Sequence, residues 1–321
     1  MNPTEIARIK PRPLAPGGLV GLIAPSGSVR GDAQVDRAAT ALGRLGFGVR
    51  EGASCRARYG YLAGRDKTRA DDVNAFFADP AIRGIVCMKG GYGTPRLLDL
   101  LDYDAIARNP KVFVGYSDIT AIHLALNRRC GLVTFHGPMG ISDVLVEGED
   151  YSTKSWLSAL TSISPLGRLD KPAGAPAPRV LVPGRARGEL IGGNLSLVAA
   201  LIGTPYALDA RGKILFLEDI DERPYRIDRM LTQLRLAGVF EECAGVVLGD
   251  WDNCGPEEGK PSLSLEEVFR DVIAPAGKPV VMGLRAGHCS PTMSFPLGVQ
   301  AILDAASSTP GLEIVEAATA A

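Results

Sequence analysis

Short apolar runs alternate with helix-patterned segments over the first half of the chain, and this alternation is what most constrains the fold. Apolar runs predict buried strands at 19–24, 82–88 and 111–115, and apolar spacing close to 3.6 residues predicts helices at 33–45 and 68–78. Strands that alternate with helices are typical of parallel sheets, because a crossover helix carries the chain back to the edge from which the next strand starts. We therefore predict an α/β protein built on a mostly parallel sheet.

A proline-rich stretch separates this part from a second block. Prolines 165, 172, 176, 178 and 183 fall among Gly, Ala and Arg with no apolar period, which is typical of a linker. Beyond it we predict helices at 194–202 and 224–236 and strands at 213–217, 245–248, 279–282 and 299–303. The predicted division is an N-terminal domain over 1–161, a linker over 162–187 and a C-terminal domain over 188–321, with a disordered Ala-rich tail from residue 317.

Composition excludes several classes of function. The 321 residues carry 35 Lys+Arg and 36 Asp+Glu, so the net charge of −1 gives no basic surface for nucleic acid or for an anionic membrane. No stretch approaches the roughly 18 apolar residues of a membrane span, and residues 1–16 lack the apolar region of a signal peptide, so we expect a cytoplasmic protein. The six cysteines show no metal-site spacing and are predicted to be free thiols.

Ser117 ends the predicted strand 111–115 and opens a helical segment. At such a turn a hydroxyl lies beside free helix N–H groups, which stabilise developing negative charge. The position resembles a nucleophile elbow, although the G-x-S-x-G pattern is broken by Ile119. The alternative is that Ser117 merely caps the helix.

The chain offers three histidines to a mechanism that needs an imidazole. His123 lies among apolar residues of a predicted helix, which favours a packed side chain, while His136 follows an apolar run and could line a cleft or satisfy a loop. His288 follows a strand and a glycine, where an imidazole can reach a cleft. Glu218 follows the predicted strand 213–217, so its carboxylate could orient the Nδ1–H of a histidine.

The glycine-rich turn 90–93 lacks both the P-loop ending and the dinucleotide-binding spacing, so nucleotide binding is disfavoured. Its missing side chains would let a substrate reach backbone N–H groups and place an oxyanion there. A tight turn with no other role is the alternative.

Several segments together resemble the LD-carboxypeptidase family of serine peptidases, the muramoyltetrapeptide carboxypeptidases. They are GLIAPSG (21–27), KGGYG (89–93), RLL (96–98), LDY (101–103), GYSDIT (115–120), HGPM (136–139), GELIGGNL (188–195), LEDI (217–220), GH (287–288) and FPLG (295–298). The resemblance implies a Ser-Glu-His triad of Ser117, Glu218 and His288. It also implies a doubly wound N-terminal sheet of flavodoxin or Rossmann type, an active site between two domains, a homodimer, and no metal or cofactor.

The activity implied is removal of the terminal D-Ala from a murein tetrapeptide or muropeptide, by cleavage of an L,D bond during peptidoglycan recycling. In this hypothesis His288 takes the proton of Ser117, and backbone N–H groups of Gly91 and Asp118 bind the oxyanion. Two positions depart from the family pattern: Lys89 stands where arginine is expected, and Cys289 follows the histidine. Meso-diaminopimelate and L-lysine stems stay equally open.

Candidate substrate-binding residues are Gly90, Tyr92, Arg96 and Asn194, although Arg96 could be a solvated helix residue and Asn194 an N-cap. One alternative function is a microcin C immunity-type peptidase, which stacks a nucleobase on an aromatic residue, for which Trp156 is the candidate here. The other is a non-enzymatic module that binds a peptide or sugar.

Overall fold

A computed structural model describes residues 6–320 of the chain as two sheets with flanking helices. The strands are β1 (Leu19–Ile23), β2 (Gly48–Glu51), β3 (Ile82–Cys87), β4 (Val112–Gly115), β5 (Thr134–His136), β6 (Gly167–Arg168), β7 (Arg179–Val182), β8 (Arg185–Asn194), β9 (Ile214–Ile220), β10 (Gly245–Asp252), β11 (Val280–Met282), β12 (Phe295–Leu297), β13 (Gln300–Asp304) and β14 (Gly311–Ile314). The α-helices are α1 (Asp32–Arg44), α2 (Asp66–Ala78), α3 (Tyr103–Arg108), α4 (Thr120–Cys130), α5 (Asp150–Thr161), α6 (Leu195–Leu201), α7 (Pro224–Leu236), α8 (Val239–Glu242) and α9 (Leu265–Val272).

The first sheet has the strand order β12-β5-β4-β3-β1-β2. Strands β1 to β5 run parallel, and their order is that of the flavodoxin-like doubly wound fold, so the predicted fold class is confirmed. The strand order reverses between β1 and β3, and loops that leave the two strands there diverge and open a crevice. The candidate site lies along this edge of the sheet.

The second sheet has the order β6-β14-β13-β8-β9-β10-β11-β7. Its centre, β8 to β11, is parallel, and antiparallel strands complete both sides. The segment 162–187, predicted as a linker, contributes β6, β7 and the start of β8 to this sheet. The domain boundaries at residues 161 and 187 stay a prediction.

The chain passes from the second sheet to the first between β11 and β12. Strand β12 pairs antiparallel with β5, and Phe295 lies opposite His136. The loop 283–294, which carries His288, therefore spans the two sheets. This crossing brings residues from the far end of the sequence to the carboxyl ends of β3 and β4.

Local signals explain where the helices of the second block begin. Pro224 occupies the first turn of α7, where a missing N–H costs nothing, and Ile227, Leu231 and Leu234 form its buried stripe. Ser264 and Glu267 form a capping box at the start of α9. Among residues 6–320 no helix combines the length and apolar character that crossing a membrane requires.

The Ala-rich tail was predicted to be disordered, and the structure contradicts this. Ala318 and Thr319 are buried, Thr319 Oγ1 donates to the Ser162 carbonyl oxygen at 2.6 Å, and Ala320 N donates to the Pro11 carbonyl oxygen at 2.9 Å. Alanine-rich composition favours disorder when nothing covers the chain, but small side chains also pack closely against a formed surface.

Candidate active site

A cavity of about 570 Å³ opens where loops from both sheets meet. Its walls come from the turn after β3 (Lys89, Gly90, Gly91), the turn after β4 (Tyr116, Ser117), the segment after β5 and the loop 283–294. The lining residues from these last two segments are Pro138, Met139, Ile141, Ser142, Asp143, Val144, Glu147, His288, Cys289, Ser290 and Thr292. The structure thus places Ser117 and His288, which are 171 positions apart in the sequence, on one cavity.

Ser117 has an uncommon backbone conformation. Its φ is 63°, a left-handed value that a residue with a side chain adopts at a cost of about 1 to 3 kcal/mol. The turn is held against the glycine loop, because a Cβ added to Gly90 would lie only 2.7 Å from Ser117 Oγ. The sharp turn at the end of a buried strand presents the hydroxyl to the cavity, as in a nucleophile elbow.

Asp118 joins three of the strand-end loops. Its buried carboxylate Oδ2 accepts from Ser26 Oγ at 2.6 Å and from the Thr94 backbone N–H at 2.9 Å. Its carbonyl oxygen also accepts from Thr94 Oγ1. Ser26 follows β1 and Thr94 follows the glycine turn, so the Asp118 side chain fixes the turn of Ser117 to both neighbouring loops.

Glu218 and His288 form a buried hydrogen-bonded pair. Glu218 lies within β9, beyond the predicted end of that strand, and is fully buried. Glu218 Oε2 and His288 Nδ1 are 2.7 Å apart. This contact directs the other ring nitrogen of His288 away from the carboxylate and fixes Nδ1 as the protonated position of the neutral ring.

The loop that carries His288 is itself anchored. Gly287 has a φ of 106°, and a Cβ there would lie 2.5 Å from Glu218 Oε2, so only glycine allows this approach. The Asp250 backbone N–H donates to the Ala286 carbonyl oxygen at 2.9 Å, and Arg285 Nη2 donates to the Ser290 carbonyl oxygen at 2.9 Å. These bonds hold the loop before and after the histidine.

The pair shifts the titration of both groups. Burial lowers the pKa of His288, but the hydrogen bond and charge of Glu218 outweigh it, so the pKa lies above its ordinary value. Burial raises the pKa of Glu218, and the hydrogen bond from His288 opposes that rise. The ring of Tyr116 also packs on the imidazole, with centroids 4.8 Å apart. An imidazole with a raised pKa accepts a proton readily and is suited to general-base chemistry.

The other two histidines stand apart from the cavity lining. His123 is buried in α4 with Nε2 2.9 Å from the Gly115 carbonyl oxygen, and burial lowers its pKa to about 4, which confirms the packed side chain. His136 lies on β5, stacks on Phe295 and is fully buried, and burial lowers its pKa far below the ordinary value. Cys289 lines the cavity, but burial raises its pKa to about 12, so the thiol stays protonated at neutral pH.

The structure places the remaining candidates in two groups. Gly90 and Gly91 line the cavity, and Tyr92 lies on an adjoining one. Arg96 does not line either of these cavities; its Nη2 and Nε donate to Asp66 Oδ2 at 2.7 and 3.0 Å. Asn194 caps α6, as its alternative interpretation holds, and its Nδ2 donates to Asp219 Oδ1 at 2.8 Å.

Of the charged residues that line the cavity, Lys89 stands out in the sequence only as a departure from the family pattern, and Asp143 and Glu147 are not predicted at all. Lys89 contributes the one cationic side chain among the residues that line this cavity, and Asp143 and Glu147 contribute carboxylates from the segment after β5. That segment is fixed beside Lys89, because Gly140 and Ile141 donate backbone hydrogen bonds to the last residues before it, Cys87 and Met88. The sequence signal for Lys89 is its position directly after a buried strand. Asp143 and Glu147 carry no such signal, because they lie in an irregular stretch with a π-helical turn. No group of three potential ligand residues within 6–320 could hold a metal ion.

Comparison with known proteins gives consistent matches over nearly the whole chain. Residues 20–137 match the LD-carboxypeptidase N-terminal domain and residues 187–303 the LD-carboxypeptidase C-terminal domain. A probable murein peptide carboxypeptidase of Bacillus subtilis (strain 168) is 41% identical, covering 95% of this chain and 94% of that protein. Among solved structures, the muramoyltetrapeptide carboxypeptidase of Oxalobacter formigenes superposes with a TM-score of 0.81 at 30% identity, covering 94% of this chain and all of that one. The microcin C7 self-immunity protein MccF, in its wild-type apo state, gives 0.88 at 28% identity, covering 97% and 100%.

Proposed function

The chain belongs to the LD-carboxypeptidase family, and from this we propose that it is a serine-type carboxypeptidase that removes the terminal D-Ala of a murein tetrapeptide. The observation that carries the proposal is the meeting of Ser117 with the Glu218–His288 pair at one cavity. A carboxylate, an imidazole and a hydroxyl in this order are the parts of a nucleophilic acyl-transfer site.

In the proposed reaction His288 takes the proton of Ser117 as Oγ attacks the carbonyl carbon of the L,D bond. The tetrahedral oxyanion accepts hydrogen bonds from the backbone N–H groups of Asp118 and Gly91, an interaction whose loss costs about 3 to 4 kcal/mol per donor in comparable sites. His288 then protonates the leaving D-Ala, and a water molecule releases the acyl group from Ser117. Glu218 stabilises the imidazolium throughout.

Two features of the cavity support a peptide with charged groups as substrate. Lys89 offers a cation to a carboxylate, and no carboxylate within residues 6–320 forms an ion pair with it; its Nζ lies 3.4 Å from the Ser28 carbonyl oxygen. Asp143 and Glu147 offer negative charge from the segment after β5. A stem peptide that carries carboxylates together with an ammonium group complements this arrangement.

The proposal extends to the setting of the reaction. It places the enzyme in peptidoglycan recycling, in the cytoplasm, where stem peptides return from the wall, and it makes the active form a homodimer. Sedimentation of the purified protein near twice 33.8 kDa would support the dimer, and sedimentation at the mass of one chain would contradict it.

Mass spectrometry of L-Ala-γ-D-Glu-meso-diaminopimelyl-D-Ala incubated with the protein tests the proposal. We expect the wild type to release one D-Ala without added metal or nucleotide, and Ser117→Ala to release none, since no oxygen remains to attack the carbonyl. Ser290→Ala is the matched control, because Ser290 lines the same cavity and is exposed. Equal activity of wild type and Ser117→Ala would contradict the serine mechanism.

A second function is supported by the higher structural similarity to MccF. An immunity-type peptidase would hydrolyse an aminoacyl sulfamoyl adenosine and leave tetrapeptide intact. Its aromatic candidate does not fit, because Trp156 is fully buried and its Nε1 donates to the Pro138 carbonyl oxygen at 3.1 Å. The same assay with the nucleotide analogue distinguishes the two functions. Binding of either ligand without turnover by wild type would favour the non-enzymatic module.

A further inference from the structure

Arg69 is a buried arginine that the proposed mechanism does not use. It lies on α2, its side chain has no solvent exposure, and it lines neither the catalytic cavity nor the adjoining one. A buried cation is costly to remove from water unless it is paired and hydrogen-bonded. The groups that Arg69 binds therefore indicate what it does for the protein.

The guanidinium of Arg69 joins two of the loops that leave the first sheet. Its Nη1 donates to the carbonyl oxygen of Pro25 at 2.7 Å and to that of Gly93 at 3.1 Å. Pro25 follows β1 and Gly93 ends the glycine turn after β3, so these loops leave the sheet where the strand order reverses. Glycine makes the second contact possible, because the φ of Gly93 is 118° and a Cβ there would lie 2.8 Å from Arg69 Nη1.

Arg69 and Asp118 bind the same two loops at adjacent residues. The Asp118 carboxylate accepts from Ser26 and Thr94, which directly follow the two acceptors of Arg69 in the sequence. The loops are therefore held by one buried anion, which belongs to the turn of Ser117, and by one buried cation, which belongs to α2.

The two loops also meet at the residue that carries a proposed oxyanion donor. The Gly27 N–H donates to the Gly90 carbonyl oxygen at 3.4 Å, and a Cβ on Gly91 would lie 3.3 Å from Gly27 Cα. A displacement of either loop would therefore move the Gly91 N–H. An oxyanion donor acts within about 2.7 to 3.1 Å of the oxygen that it stabilises, so its position must be closely fixed.

On the basis of the proposed function, we propose that Arg69 is a positioning residue of the oxyanion site, which fixes both loops so that the Gly91 N–H meets the tetrahedral intermediate. The guanidinium itself contacts no reacting atom. Asp66 balances its charge, since the Asp66 carboxylate accepts hydrogen bonds from Arg69 and from Arg96. Hydrogen bonds from Arg96 and Arg69 lower the pKa of Asp66, so this carboxylate is ionised at neutral pH.

A misplaced oxyanion donor weakens binding of the transition state more than binding of the ground state, so the effect should fall on kcat. We expect Arg69→Met to lower kcat for the tetrapeptide about 100-fold, and Arg69→Lys, which keeps the charge but not the planar fork of donors, about tenfold. The inhibition constant of the tripeptide product should stay within about twofold of the wild type in both variants. Arg69→Lys retains the buried charge and therefore tests the proposal if Arg69→Met does not fold.

Lys111 is the matched control, because it is a buried cation at the opposite edge of the same sheet. It directly precedes β4 and is 7% exposed, and its Nζ donates to the carbonyl oxygens of Asp79 and Ile82 at the amino end of β3. Lys111→Met should lower the urea midpoint of unfolding, because two carbonyl oxygens lose their donor. It should leave kcat per folded molecule unchanged.

Labelling of Ser117 by a fluorophosphonate separates this inference from the proposed function, because the reagent is not a murein peptide and its phosphonyl oxygen occupies the oxyanion site. A labelling rate that falls about tenfold in Arg69→Lys but not in Lys111→Met supports the positioning role even if the wild type releases no D-Ala. Equal labelling rates of wild type and Arg69→Lys overturn it. A product inhibition constant that rises as far as kcat falls also overturns it, since the whole cavity would then have changed.

Discussion

The proposed nucleophile, Ser117, and its proposed base, His288, are held in place by different forces. Ser117 lies in a strained turn that neutral and charge-assisted hydrogen bonds fix to neighbouring loops through Asp118. His288 lies on a loop that crosses between sheets and is oriented by one buried carboxylate, Glu218. The turn of Ser117 forms the scaffold half of the site, and the Asp118 carboxylate that anchors it has its hydrogen-bond partners within the protein.

The other half of the site, the Glu218–His288 pair, leaves one buried polar atom without a hydrogen-bond partner. Oxygen Oε1 of Glu218 is buried without a hydrogen-bond partner among residues 6–320, whereas both polar partners of the Asp118 carboxylate are in place. An incompletely satisfied carboxylate in an apolar setting interacts strongly with the one cation that can form beside it. The comparison teaches that backbone geometry and hydrogen bonds fix Ser117, while the charge of Glu218 tunes the pKa of His288.

The largest loss of activity should come from removing the charge of Glu218. We expect Glu218→Gln to lower kcat/KM by about 10³- to 10⁴-fold, because a neutral amide neither fixes the Nδ1–H tautomer nor stabilises imidazolium. Asp219→Asn is the control: this adjacent buried carboxylate binds Asn194 and Ser196 rather than a histidine, so its loss should cost far less activity. Steady-state hydrolysis of the tetrapeptide, with circular dichroism to check folding, measures both.

The pH profile shows whether Glu218 acts through His288. The base must be neutral to take the proton, so kcat/KM of the wild type should fall on the acid side with a midpoint above 6.5, since the pKa of His288 is raised. In Glu218→Gln the charge beside the imidazole is lost, while burial, which lowers the pKa of His288, and the weaker opposing charges of Asp219 and Asp252 stay, so the residual activity should have its midpoint at lower pH. An unchanged midpoint would show that Glu218 is only structural.

The next largest effect should come from Asp118, whose carboxylate anchors the turn of Ser117. Asp118→Ala leaves the Ser26 hydroxyl and the Thr94 N–H without their buried acceptor, which should lower the free energy of unfolding by about 3 kcal/mol. The loosened turn should also lower kcat by about tenfold or more, because small displacements of a nucleophile are costly. Asp118→Asn keeps an acceptor oxygen and should recover most of the stability and activity. Urea unfolding and tetrapeptide hydrolysis measure the two effects; equal losses in Ala and Asn variants would contradict the hydrogen-bond role.

Much of the scaffold half could be predicted from the sequence. The strands β1, β3 and β4 are apolar runs, broken in β3 by the exposed Arg83, and such runs identify buried parallel strands; Ser117 stands two residues after the last of them. Glu218 and His288 could be proposed as site residues because each follows an apolar strand. Acidic residues come after Glu218, and a glycine comes before His288. Their 2.7 Å contact depends on how the two sheets pack, and a single sequence carries no direct signal for that.

Other features of the structure could not be predicted from local sequence patterns, and each has a physical reason. Strand β12 has three residues with Pro296 at its centre, and proline is tolerated there because β12 is the edge strand of its sheet. The tail is ordered by contacts with Pro11 and Ser162, far away in sequence. Arg96 follows a glycine turn, as a ligand-binding residue would, but its partner Asp66 precedes it by 30 positions and holds it on the surface.

The smallest predicted effects are those of substituting the two cations near the glycine turn 90–93, Lys89 and Arg96. Lys89 lines both cavities without an ion pair among the described residues, so Lys89→Ala should raise KM about tenfold with little change in kcat, as expected for a group that binds a substrate carboxylate before and during reaction. Arg96 is exposed and already paired with Asp66, so Arg96→Ala should change kcat/KM less than about twofold, in keeping with the small value of exposed ion pairs. Lys89→Arg keeps the charge and should keep KM within a few-fold of the wild type. A larger rise in KM from Arg96→Ala than from Lys89→Ala would show that the carboxylate is bound by the cation we placed outside the cavity.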